Sequence, residues 1–130
     1  RGAYELLPAE GGEARVTIFA TGTEVALAVK ARAALTAEGV PVRVVSVPCF
    51  ELFEQQDAAY QATVIGTAPV RIAVEAAVRQ GWDRFIGADG LFIGMKGFGA
   101  SAPFERLYAE FGITADAVVA AARDGLRQGA

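Results

Sequence analysis

Histidine is absent from this chain, and cysteine occurs once, as Cys49. Without histidine, the chain cannot by itself build a Ser-His or Cys-His nucleophile pair or a metal site with histidine ligands. A single cysteine likewise excludes an internal disulfide and a Cys-x-x-Cys redox motif. It agrees with a reducing cytoplasm, where we expect the protein to reside. Most common enzyme chemistries are therefore hard to place in these residues alone.

Long apolar runs and clusters of basic residues are missing as well. No stretch approaches the ~20 apolar residues of a membrane-spanning helix, and no signal-peptide pattern opens the chain. The 12 basic and 15 acidic residues give a net charge of −3. No basic block favours nucleic acid or an anionic membrane as a partner. Because the first residue is Arg1, we expect either a processed chain or a piece of a longer one.

What is present is an apolar chain of single-domain length. Hydrophobic residues make up 53% of the 130 residues, although many of them are alanines that bury little surface each. This length allows one domain with its own core, and not two. We predict that residues 1–13 are a linker from an upstream domain and that residues 14–130 form a single α/β domain.

Strand and helix patterns alternate along the domain. Apolar runs rich in β-branched residues predict strands at 15–20, 42–47 and 70–75, and one or two short strands within 85–95. Helices are predicted at 23–38, within 50–65, and at 76–80, 103–111 and 114–127. Strands that are apolar on both faces indicate a parallel sheet covered by helices on both sides. We therefore predict a three-layer α/β/α sandwich with a mostly parallel (mixed) sheet.

The two long helices carry apolar stripes that predict their buried faces. Gly39 stands where a C-terminal cap of the first helix belongs. Ile113 and Val118 have the spacing of a hydrophobic staple at the start of the last helix. The predicted buried positions are Leu27, Ala31, Ala34 and Leu35 in the first helix, and Val118, Ala122 and Leu126 in the last.

Ligands of such sheets bind beyond the carboxyl ends of the strands, so those turns are the first candidate sites. Thr21, Gly22 and Thr23 stand between a strand and a helix, where free backbone amides attract phosphate or carboxylate. The alternative is a capping box in which Thr21 and Glu24 satisfy each other's backbone amides. We favour the cap and keep these three residues as a possible anion-binding site.

Other polar residues at strand ends have a structural interpretation. We expect Cys49 to be a buried structural cysteine, since no histidine is available to activate its thiol. Glu75 has no second acid–base group in view, which favours a hydrogen-bonded or interface carboxylate over a general base. A solvated cluster is expected at Glu51, Glu54 and Asp57. Tight turns, or docking against another domain, explain the glycines at 87, 90, 94, 97 and 99 better than a phosphate cradle.

Several segments resemble, in order, the C-terminal domain of transketolase. In the first half they are Ala-Thr-Gly-Thr-Glu-Val (20–25), Val-Arg-Val-Val-Ser-Val-Pro (42–48) and Phe-Glu-Gln-Gln-Asp (53–57) with Tyr60. In the second half they are Arg-Ile-Ala-Val-Glu-Ala (71–76), Trp82, Gly87, Gly90, Ile-Gly (93–94), Phe-Gly-Ala-Ser-Ala-Pro (98–103), Leu-Tyr (107–108) and Phe-Gly-Ile-Thr (111–114). The resemblance covers residues 1 to about 123 and is far more specific than any single glycine motif.

The resemblance implies a homodimeric parent enzyme with three α/β domains per subunit. Its first two domains would bind thiamine diphosphate and Mg²⁺ and hold the catalytic histidines. The parent would transfer a two-carbon ketol unit from a ketose phosphate to an aldose phosphate, a reaction of the pentose phosphate pathway. For this chain the resemblance implies a structural and assembly domain that binds no cofactor, docks on the upstream domains and is inactive alone. No catalytic residue of the family maps onto a position here.

Two alternatives to this function stay open, and the first is of a different class. One is a free-standing regulatory module that binds a phosphorylated metabolite at the turn formed by residues 21–24. The other is a related parent, such as a thiamine-dependent synthase or dehydrogenase component that shares the fold. The segments at 98–103 and 111–114 favour transketolase over that relative.

Overall fold

The computed structural model describes residues 2–22, 24–74, 83–86, 91–93 and 115–129. Their elements, in chain order, are β1 (Tyr4–Leu7), β2 (Val16–Ala20), α1 (Glu24–Ala37), β3 (Val42–Ser46), α2 (Phe50–Glu54), α3 (Ala58–Ile65), β4 (Val70–Val74), α4 (Asp83–Ile86), β5 (Leu91–Ile93) and α5 (Ala115–Gly129).

The five described strands form one sheet in the order β1-β3-β2-β4-β5. Strand β2 is central and runs parallel to both neighbours, so that Val16 pairs with Val42 on one side and with Val70 on the other. Strand β5 is parallel to β4, whereas β1 is antiparallel to β3 at the opposite edge. The prediction of a mostly parallel, mixed sheet is confirmed.

Each face of the sheet carries its own core, because alternate strand residues point to opposite sides. On one face α1 and α5 cover the strands, with Leu35 and Val118 fully buried against Ile18. On the other face α2, α3 and α4 contribute Phe53, Val64 and Phe85, which pack with strand residues Phe19, Val45 and Ala73. Two cores separated by one sheet make the three-layer α/β/α sandwich that the sequence predicts.

Helix α1 buries a stripe that agrees with the predicted one at Ala31 and Leu35 only. Its buried residues are Ala28, Ala31 and Leu35, whereas Ala34 is exposed and Leu27 is only half-buried. Alanine fills so many positions of this helix that apolar residues occur on every face. The stripe is set by which face meets β2 and β3, and the sequence pattern carries little of that information.

The C-terminal cap of α1 and the buried face of α5 both agree with the predictions. Gly39 adopts φ +86° just after α1, and its N–H donates to the carbonyl of Thr36. The next N–H, that of Val40, donates to the carbonyl of Leu35, which completes a Schellman motif. In α5 the predicted face is confirmed, since Val118 and Ala122 are buried and Leu126 packs against the same core.

The structure adds a strand within the predicted linker, and some predictions lie outside the described residues. In strand β1, Tyr4 pairs with Ser46 of β3. The boundary between residues 13 and 14 stays a prediction. Strand β5 lies within the segment 85–95, where short strands are predicted, and Phe85 at the start of that segment belongs to α4. The helices predicted at 76–80 and 103–111, and the staple residue Ile113, lie outside the described residues. None of the described helices is long and apolar enough to cross a membrane.

Candidate functional site

The carboxyl ends of β2 and β4 form the switch point of the sheet. Their last residues, Ala20 and Val74, are paired neighbours. From β2 the chain continues through α1 to β3 on one side, and from β3 it continues to β4 on the other side of β2. A reversal of this kind opens the crevice where ligands of α/β sheets bind.

Thr21 and Gly22 lie at this crevice. Gly22 is exposed with φ +60°, and no other atoms crowd its Cα. However, the N–H of Glu24 donates to the Thr21 carbonyl at 3.2 Å, and the N–H of Val25 donates to the Gly22 carbonyl at 3.3 Å. These two amides are therefore already used, and the carboxylate of Glu24 opposes an anion in the first turn. Thr23, the third predicted residue, lies outside the described residues, so the anion site stays a prediction.

Cys49 follows β3 as the N-cap residue of α2 and is half-buried rather than buried. Its Sγ lies 3.6 Å from Oε1 of Glu51, and its backbone N–H donates to the Gly2 carbonyl at 3.0 Å. The surroundings of Cys49 therefore agree with a structural role and not with a nucleophile.

The predicted acidic cluster separates into solvent-exposed and capping residues. Glu51 and Glu54 are exposed on α2. Asp57 is the N-cap of α3, where its Oδ1 accepts a hydrogen bond of 2.7 Å from the N–H of Tyr60. Within the described ranges, no three Cys, Asp or Glu side chains gather closely enough to hold a metal ion. Glu75 and the five glycines between 87 and 99 lie outside these ranges.

The segment before β1 is built into the carboxyl side of the sandwich. Gly2 and Ala3 are buried, and the Ala3 carbonyl accepts a hydrogen bond of 2.6 Å from the Tyr60 hydroxyl. Gly2 has φ +89°, and a Cβ at this position would lie 2.2 Å from the backbone nitrogen of Phe53. Only glycine fits such a close approach to α2. The backbone at Gly2 and Ala3 is therefore fixed in position against α2 and α3.

Comparison with known proteins identifies the family. The sequence model described as "Transketolase-like TK C-terminal domain" matches residues 2–114. This chain belongs to the transketolase C-terminal domain family.

Full-length transketolases are similar to this chain over almost its whole length. It is 58% identical to the transketolase of Sinorhizobium medicae, covering 98% of this chain and 18% of that protein. It is 47% identical to transketolase 1 of Escherichia coli, covering 95% of this chain and 19% of that protein. The solved transketolase of Leishmania mexicana superposes with a TM-score of 0.79 at 41% identity, covering 98% of this chain and 18% of that one. The chain thus spans less than a fifth of each of these three proteins.

Transketolases depend on thiamine diphosphate, and that this cofactor is held outside the present domain stays a prediction. In the described part of the chain, Asp57 caps α3, and Glu51 and Glu54 face solvent.

The amino-terminal edge of the sheet contains a feature that the sequence analysis missed. Arg43 of β3 is 8% exposed, and its Nη1 donates to the Val64 carbonyl at 2.8 Å. Its Nη2 donates to the Thr63 carbonyl at 3.3 Å, and its Nε to Oε1 of Glu5 at 2.7 Å. Arg43 thereby caps the C-terminal end of α3, where unpaired carbonyls and the helix dipole favour a cation. A single arginine inside an otherwise apolar strand was the available signal.

Proposed function

We propose that this chain is the C-terminal structural and assembly domain of a transketolase. Its parent would transfer a two-carbon ketol unit from a ketose phosphate to an aldose phosphate, using thiamine diphosphate and Mg²⁺ held by other domains. The observation that carries the proposal is the match of nearly the whole chain to less than a fifth of full transketolases. The absence of histidine from the sequence supports a role outside the chemistry.

The anchored N-terminal segment supports a role in assembly. Hydrogen bonds from Cys49 and Tyr60 hold the carbonyls of Gly2 and Ala3, and the close approach at Gly2 leaves no room for rearrangement. A connecting segment that is fixed at Gly2 and Ala3 in this way would hold an upstream neighbour in one orientation. We infer that its partners are the upstream domains of the parent and, through them, a second subunit of a homodimer.

Neither nucleic acid nor a membrane surface is part of this proposal. The net charge of −3 would repel phosphate backbones and anionic headgroups. Cytoplasmic residence, inferred from the single cysteine, belongs to the same proposal.

Domain exchange with a relative tests this function. The C-terminal domain of the Sinorhizobium medicae transketolase would be replaced by this chain, and compared with the same protein truncated before that domain. We expect the chimera to retain ketol transfer and dimerisation, and the truncated protein to lose activity. We also expect the 130-residue chain alone to show no transfer activity.

Two results would contradict the proposal. One is stoichiometric binding of thiamine diphosphate by the 130-residue chain in calorimetry. The other is full activity and dimerisation of the truncated protein, because the domain would then contribute nothing to assembly.

A regulatory site at Thr21, Gly22 and Thr23 is the second candidate, favoured by the open position of Gly22 at the switch point. A phosphorylated metabolite bound there would raise the melting temperature with a saturable dependence on its concentration. Replacing Thr23 with alanine would remove that rise, while Thr63→Ala on α3 would serve as the control. A melting temperature unchanged across sugar phosphates and nucleotides would end this hypothesis.

A further inference from the structure

A cleft of about 780 Å³ opens at the amino-terminal edge of the sheet, opposite the edge that carries Thr21 and Gly22. Its walls are the residues before β2, the C-terminal end of α3 and the loop that leads into β4. Small-molecule sites in proteins commonly have volumes of about 300–1,000 Å³. The cleft is therefore large enough for a ligand, and no function has yet been assigned to it.

The floor of the cleft holds a buried polar atom without a protein partner. Thr17 of β2 lines the cleft and is fully buried, and its Oγ1 makes no hydrogen bond to the protein. Buried hydroxyl groups are nearly always hydrogen-bonded, because leaving one unpaired costs free energy. The other residues of β2 are apolar, so a hydroxyl here is a specific departure from the composition of the strand. The Thr17 hydroxyl, which can both donate and accept a hydrogen bond, is therefore a candidate contact for a ligand group.

The charges around the cleft are balanced. Arg43 and Glu5 form an ion pair with each other, with Nε and Oε1 2.7 Å apart. The remaining charged lining residues are Glu13 and Arg15, which are exposed and opposite in sign. An anion would meet the carboxylates, and a cation would meet the guanidinium groups. Hydroxyl groups both donate and accept hydrogen bonds, so a neutral polyhydroxylated molecule suits both signs at once.

We propose that this cleft binds a small uncharged polyhydroxylated molecule of the sugar or polyol class. One ligand hydroxyl pairs with the side chain of Thr17, and others bridge Glu13 and Arg15. Since Thr17 is closed to solvent, binding requires the side chains above it to change rotamer, as interface side chains commonly do. The site lies at the opposite end of the sheet from the switch point, and it does not depend on the role proposed for the domain.

The test is an amide-shift NMR titration of the 130-residue chain with glucose, ribose and glycerol as neutral probes. Inorganic phosphate and ethylenediamine serve as the charged probes. We expect saturable shifts at residues 13–17 and 63–68 with at least one neutral probe. Thr17→Val, which keeps the shape and removes the hydroxyl, weakens that binding roughly tenfold. Thr36→Val is the matched control, because Thr36 Oγ1 is equally buried and unpartnered but lies on α1 in the other layer.

A second variant keeps the proposal open to refutation if Thr17→Val fails to fold. Arg15 is exposed, so Arg15→Gln leaves the core untouched and is expected to weaken binding several-fold. Three outcomes overturn the proposal: no saturable shift with any neutral probe, saturable binding of phosphate or ethylenediamine only, or unchanged affinity in the folded variants at positions 15 and 17.

Discussion

Nε of Arg43 lies 2.7 Å from Oε1 of Glu5, and this contact joins an edge strand to an interior strand of the sheet. The same guanidinium donates to the carbonyls of Thr63 and Val64 at the end of α3. One side chain thus connects β1, β3 and the helix that borders the cleft. The fold at the amino-terminal edge therefore depends on Arg43 more than its place in an apolar strand indicates.

Replacing Arg43 with methionine is expected to lower the free energy of unfolding by about 2–4 kcal/mol, because it leaves buried helix carbonyls unpaired. Urea denaturation measures the change. Arg15→Met, the same substitution at an exposed position, should change it by less than about 0.5 kcal/mol. Glu5→Gln should lower it by at most about 1 kcal/mol, since the Glu5 side chain is 43% exposed. Equal losses in the two arginine variants would contradict this role.

Gly2 and Gly11 allow a matched comparison of steric crowding with backbone conformation. Their φ values are +89° and +90°, but a Cβ would meet backbone atoms 2.2 Å and 2.4 Å away at Gly2 and nothing within 4 Å at Gly11. Gly11→Ala is therefore expected to lower the free energy of unfolding by about 1 kcal/mol, from backbone strain alone. Gly2→Ala should lower it by at least about 3 kcal/mol, because Phe53 and Cys49 must also move.

Thermal and urea unfolding of the two glycine variants measure the two stability losses. A comparable loss in both would mean that the segment around Gly2 is not held against α2. The proposed rigid connection to a neighbouring domain would then lose its structural basis.

The sequence predicts the layers well, because most residues of β2, β3 and β4 are apolar and their burial follows from composition. It does not predict β1, whose residues Tyr4 to Leu7 lack β-branched side chains. That strand exists through pairing with Ser46 and Val45 of β3, which are about forty positions away. Local pattern contains no information on such a partner.

The candidate sites follow the same division. The turn at Thr21 and Gly22 is predicted because strand ends precede helices in the sequence itself. The amino-terminal cleft is not, because Thr17, Arg43 and the end of α3 meet only through the sheet register and the packing of α3. Phe85 opens the segment in which one or two short strands are predicted, but it lies in α4, where its ring packs against Phe19, Phe50 and Phe53 through tertiary contacts.

Asp57 provides a test of whether the acidic cluster has a structural role. Its Oδ1 accepts the N–H of Tyr60 and so caps α3. Asp57→Ala should lower the free energy of unfolding by about 1 kcal/mol. Asp57→Asn should leave the free energy of unfolding nearly unchanged, since asparagine is an equally good N-cap. Glu54→Ala, on the exposed face of α2, should have little effect. A large loss in Asp57→Asn would instead indicate that the charge itself is required.

Glu38 and Arg123 make stability depend on pH. The hydrogen bond from the Arg123 side chain lowers the pKa of Glu38 below its ordinary value of 4.5, and the attraction of the two charges acts in the same direction. Because the pKa of Glu38 is lower in the folded state than in the unfolded state, the stabilisation from its contact with Arg123 is fully present above about pH 4.5. It is lost as the pH falls through the folded-state pKa. The contact joins the loop after α1 to α5, so the attraction between these two parts of the chain weakens as the pH falls.

Arg123→Met is expected to return the pKa of Glu38 toward 4.5, which carbon NMR of its carboxyl group measures against pH. Arg127→Met is the matched control, because Arg127 lies on the same helix and pairs with Asp124 instead. The Arg123 variant should also unfold with a weaker dependence on pH below 4.5, since its carboxyl group no longer changes pKa on folding. An identical Glu38 titration in the wild-type chain and the Arg123 variant would show that the contact between Glu38 and Arg123 does not form in solution.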